Sequence, residues 1–176
     1  MFDKEYSFRG SHAIKVDKLT AQFDANSTSK MFNRNVDIYV NAPIIGFLYG
    51  RKAPLDKATN DTAKIMGDRV IYSKEDLKYN YRLIMLLDTK YEANSKERID
   101  KAFRHIGSDK AAPDEELFES YVRGGIDVLY EKLIVGASSS DDYVSKLYDF
   151  LEEFNDRFNE SISKKSILDL CNIAQS

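Results

Sequence analysis

Apolar positions along this chain recur mostly at intervals of three and four, the period of one helix face. The clearest case begins at Ser140. Tyr143, Leu147, Phe150, Leu151, Phe154 and Phe158 follow at that spacing, with Glu152, Glu153 and Asp156 away from the stripe. Ser140-Asp141-Asp142 reads as the helix start, since a Ser side chain caps free N–H groups and early acids suit the helix dipole. Pro113 followed by Asp114-Glu115-Glu116 marks a second start. Phe118, Val122, Gly125, Leu129 and Leu133 continue it, and Gly136 is the expected stop. Gly124-Gly125 lies inside this helix. Interior Gly costs about 1 kcal/mol against Ala, so either a neighbouring helix packs close there or the helix kinks.

The same spacing predicts a helix over Ser73–Tyr91, through Leu77, Tyr81, Ile84, Leu87 and Tyr91. Its Leu83–Leu87 run is apolar nearly all round, which predicts a central, fully surrounded helix. Shorter helices are expected over Ala13–Phe23, Ser95–Ile106 and Ile162–Ile173, the last with Cys171 on its apolar side. Ser29–Tyr49 fits one helix that Pro43 kinks, or two that meet near Asn41. Tyr6-Ser7-Phe8 alternates like a short strand, and Arg69–Tyr72 is its obvious partner. Arg51–Thr62 is a polar loop. The expectation is one all-α domain spanning 1–176. It is an irregular bundle of six to seven helices, with residues 1–12 as an extended arm and a minor two-stranded β pair near the N-terminus.

Composition narrows the chemistry. The chain has 176 residues, 43% hydrophobic and 31% charged, a balance that excludes general disorder. One Cys excludes a disulfide framework, and with only two His no zinc site is expected. The sequence holds no phosphate-loop, dinucleotide, HExxH, CxxC or GxSxG pattern. No metal and no cofactor are therefore expected. The N-terminus has no signal-like apolar run, and the most apolar window, Val40–Tyr49, is half a membrane span. A cytoplasmic protein with no membrane partner is the expectation.

Charge is distributed unevenly. Residues 1–110 carry +5 and residues 111–176 carry −8. Such asymmetry suits a nucleic-acid face or docking by opposite charge, and it also arises when acidic helix starts cluster late in a chain. Within the basic part, Tyr49, Arg51, Lys52 and Lys57 set an aromatic beside cations at a loop. That arrangement suits single-stranded nucleic acid, with Arg34, Lys64 and Arg69 extending it. His12 is expected on the surface and Cys171 in the core.

Arg98 and His105 stand seven positions apart, two turns along the expected helix. Their spacing resembles the R-x4–6-H motif of HEPN-type ribonucleases, which are all-α. The resemblance implies an Arg that steadies phosphate and a His that transfers protons at a dimer cleft. Ile99 departs from the polar residue that often follows the Arg. No catalytic set is assigned, and Arg98 and His105 are the candidates this resemblance adds. The leading reading is a non-enzymatic helical interaction protein, a subunit or adaptor with a protein partner or a second copy of itself. The alternatives are a nucleic-acid-binding accessory protein and a HEPN-like ribonuclease.

Overall fold

The computed structural model describes residues 1–24 and 28–158. Seven helices and one strand pair are found among them: β1 (Tyr6–Arg9), α1 (Ser11–Thr20), α2 (Asn35–Leu48), β2 (Thr62–Ile65), α3 (Gly67–Tyr72), α4 (Lys74–Leu87), α5 (Ser95–Phe103), α6 (Ala112–Leu133) and α7 (Ser140–Phe158). The architecture is a helical bundle with a minor β pair. The helix expected over Ile162–Ile173, and Cys171 with it, lies outside the described residues.

The centre is α6, which packs against α1, α2 and α7. Its glycines explain how. A Cβ on Gly125 would run into the Ala42 carbonyl, one on Gly46 into the Tyr121 carbonyl, and one on Gly124 into the Arg51 carbonyl. The backbones of α2 and α6 touch because two side chains, at Gly46 and Gly125, are missing at the crossing, and Gly124 lets the loop after α2 come as near, which selects close packing over the kink. Pro43 sits buried inside a continuous α2, and Val36, Ile38, Tyr39 and Ala42 join the core around it. Pro43 itself is therefore core, while Ile44, Ile45, Phe47 and Leu48 after it are half-buried.

Three expectations need correction. The strand partner of β1 is β2, antiparallel, with Tyr6 opposite Ile65 and Phe8 opposite Ala63. Arg69–Tyr72 belongs to α3 instead. Thr62–Ile65 alternates with Ala63 and Ile65 inward, but four residues at the end of a polar loop give little period to read. Second, α4 is not surrounded. Tyr81, Ile84 and Met85 are buried, while Leu83 and Leu86 are half-buried and Leu87 is 53% exposed. Third, residues 1–10 lie against the bundle, since Phe2 and Phe8 are buried and Phe2 meets Tyr39 and Phe118 edge-on.

The α7 start is a reciprocal cap one residue earlier than the sequence reading. The Ser139 hydroxyl accepts the Asp142 N–H at 3.2 Å, and the Asp142 carboxylate accepts the Ser138 and Ser139 N–H groups at 2.9 Å. Hydrogen bonds from the Ser138 backbone, then from the Ser138 and Ser139 side chains, hold the Asp142 carboxyl down at about 2. A carboxyl lowered on folding stabilises above its ordinary value, and that contribution disappears as pH falls through the lowered one. Asp142→Asn should therefore melt below wild type at pH 7, and the gap should close toward pH 2. A gap of equal size at both pH values contradicts this role for the cap.

Candidate interaction surface

The loop after α2 is held by the second half of the chain. Tyr49 caps α2, and its ring stacks on Phe150 at 6.4 Å, meets Phe158 at 5.5 Å and carries the Arg157 guanidinium at 4.6 Å. Its hydroxyl donates to Glu153 at 3.2 Å. Arg51 pairs with Glu131 at 2.8 Å. Lys52 lies 3.7 Å from Asp88 and over the Tyr121 ring, whose hydroxyl donates to the same buried carboxylate at 2.7 Å. Lys57 is exposed on the loop. Tyr49 and Lys52 thus share a cleft of about 570 Å³ with Lys90 and Arg157, while Arg51 faces the neighbouring groove beside Val128.

This cleft is not arranged like a phosphate site. The C-terminal ends of α2 and α4 both border it, and these are the negative ends of the helix dipoles. Lys52 and Lys90 are the expected complement to such ends. The face of Tyr49 is already covered, so it is not a free stacking platform. The charge asymmetry has an internal use as well: Lys15–Asp127, Arg51–Glu131 and Lys101–Asp114 join the basic first part to the acidic remainder.

Arg98 and His105 do not share a helix face. The α5 helix ends at Phe103, and His105 follows in a turn where its carbonyl accepts from Ser108. The Arg98 guanidinium donates to the carbonyls of Leu86, Glu92 and Ala93 at 2.9 to 3.0 Å. It closes the open end of α4, a structural task that occupies its Nε and Nη1.

Two polar groups escaped the sequence reading. His12 is buried, 5% exposed, with its Nε2 3.4 Å from Asp127. Its partner is more than a hundred positions away, so no local pattern announces it. Glu119 receives hydrogen bonds from Tyr6 at 2.5 Å and Tyr39 at 2.9 Å, beneath a pocket roofed by residues 1–5. Burial raises the Glu119 carboxyl even against those two donors, and burial with the nearby Glu119 raises both tyrosines. Both oxygens of this carboxyl are engaged by neutral hydroxyls, with Glu115 in the same pocket and Arg123 and Glu116 near enough to act on its charge. The arrangement ties the N-terminal strand to α6.

The surface that remains unaccounted for is on α7. Its broad stripe divides. Tyr143 stacks on Phe23 at 4.7 Å, and Phe150 and Phe154 pack on the body. Beside them Val144 is 60% exposed, Tyr148 65% and Leu151 56%, with Leu147 more than a third exposed. The spacing 144, 148, 151 forms one continuous apolar ridge. Other exposed apolar side chains form shorter sets: Ile99 and Phe103 on α5, with Phe103 under the Arg82 guanidinium, and Met66, Ile71 and Tyr72 on and beside the short α3. No helix among the described residues is long and apolar enough to cross a membrane, and no group of three or more His, Cys, Asp or Glu among them could hold a metal ion. Comparison with family models, with curated proteins and with solved structures finds no match.

Proposed function

We propose that this protein is a non-enzymatic, cytoplasmic interaction protein that docks another protein on the outer face of α7, as a subunit or adaptor. The observation that supports this is the Val144–Tyr148–Leu151 ridge. Full burial of a Val or Leu is worth about 1.5–3 kcal/mol, so each half-exposed side chain leaves roughly 1 kcal/mol unrealised. A contiguous run of such residues on one helix marks an interaction face. Affinity capture from lysate with wild type and with Tyr148→Glu/Leu151→Glu tests it. The double variant should melt within about 2 °C of wild type, as exposed sites allow, yet lose the captured protein. A wild-type protein that captures nothing and stays monomeric, or one that co-purifies with nucleic acid released by salt, overturns the reading.

A further inference from the structure

The ridge on α7 has flanks of unequal character. At about 100° per residue, Val144, Tyr148 and Leu151 fall within roughly 60° of arc. One side of that arc turns into the packed face of the helix. The other holds Asp149, Glu152 and Asp156, all exposed, and none forms an ion pair with a described residue. Of the other acids on the helix, Glu153 pairs with Lys132 at 2.6 Å, Asp142 serves the cap and Asp141 stands in the first turn. Asp149, Glu152 and Asp156 also follow one another at three and four residues, the spacing at which like charges on a helix repel. A cationic neighbour would relieve that repulsion while an apolar one covers the ridge.

Resting on the reading of α7 as a docking face, we propose that its partner presents a basic amphipathic helix. The apolar side of that helix covers Val144, Tyr148 and Leu151, and its Lys or Arg flank meets Asp149, Glu152 and Asp156. Helix-on-ridge docking of this kind draws affinity from apolar anchors at i, i+4 and i+7 and takes orientation and specificity from the charges. The ridge and its acids run about 18 Å along the axis at 1.5 Å per residue, so about three helical turns of partner suffice. A nucleic acid or an anionic membrane would be repelled by the same flank, and a second copy of α7 would bring identical carboxylates to the interface.

The test uses the full chain and three labelled 18-residue helical peptides followed by fluorescence anisotropy. One carries a leucine ridge and a Lys/Arg flank. The second has each cation replaced by Glu. The third keeps the cations and replaces the leucines with Ser. The first should bind at least tenfold tighter than either of the others and weaken at least fivefold between 50 and 500 mM salt. Asp149→Lys/Glu152→Lys/Asp156→Lys, with its melting temperature retained, should reverse the preference to the acidic peptide. Equal binding of the basic and acidic peptides, no binding of either, or an unreversed preference overturns the basic-helix partner. If charge does not discriminate while Tyr148→Glu/Leu151→Glu still abolishes capture, this inference fails and the docking face stands. A dimer in light scattering that the same double variant disperses assigns the ridge to a second copy instead.

Discussion

Gly125→Ala should lower the melting temperature by roughly 4–8 °C, although alanine is the better helix former. The intrinsic preference favours the variant by about 1 kcal/mol. Against it stands overpacking, ordinarily 1–3 kcal/mol when side chains can move aside. Here the new methyl would meet the Ala42 carbonyl and approach the Gly46 amide, both backbone of α2. Neither can rotate away, so the cost lies at or beyond the top of that range and the net loss is about 2 kcal/mol or more. At about 2–4 °C per kcal/mol for a chain of this size, the shift is readable by calorimetry. Ser145→Ala, on the exposed side of α7, is the control and should hold or slightly raise the melting temperature. A Gly125→Ala protein as stable as wild type would show that α2 and α6 do not cross in backbone contact.

Lys101→Ala should cost about 2–4 kcal/mol, far more than an exposed ion pair. Its partner Asp114 is fully buried in the first turn of α6, and one carboxylate oxygen accepts from both Lys101 at 3.1 Å and the Tyr91 hydroxyl at 2.7 Å. Removing one member of a buried pair strands the other charge, typically at 3–5 kcal/mol. Lys101 is 18% exposed, so the figure is reduced accordingly. Lys101→Ala/Asp114→Asn should recover part of the loss, because the amide leaves no charge behind. Denaturant titration of the two variants decides. A loss under 1 kcal/mol, or two effects that simply add, would mean that water rather than Lys101 compensates the carboxylate.

Much of this arrangement was legible in the order of residues. The starts of α6 and α7 were written in Pro113 with its acids and in the Ser-Asp run near 140, because caps and dipoles act within one turn. Gly124-Gly125 announced a close approach or a kink, and only the position of α2 could choose between them. What local pattern could not carry was the partner across space. Tyr49 read as a stacking platform beside cations, but α7 covers its ring. His12 read as a surface residue, but Asp127 lies against it. The wide apolar stripe of α7 was visible as a stripe. Which half of it is covered depends on where α2 and α6 end, and the spacing of residues along one helix does not encode that. The apparent motif of Arg98 and His105 rested on a helix continuing past Phe103. The turn that ends α5 removes the shared face.

The central claim is that α7 carries a partner. Site-specific photo-crosslinking in the intact cell tests it most directly, with a photoreactive phenylalanine analogue in place of Tyr148 and, as control, in place of the still more exposed Tyr72 on α3. An adduct with a different protein from position 148, absent from position 72 and lost when Leu151→Glu is added, is the predicted result. No adduct from 148, the same adducts from both positions, or crosslinks only to this chain's own residues 159–176 would contradict the account.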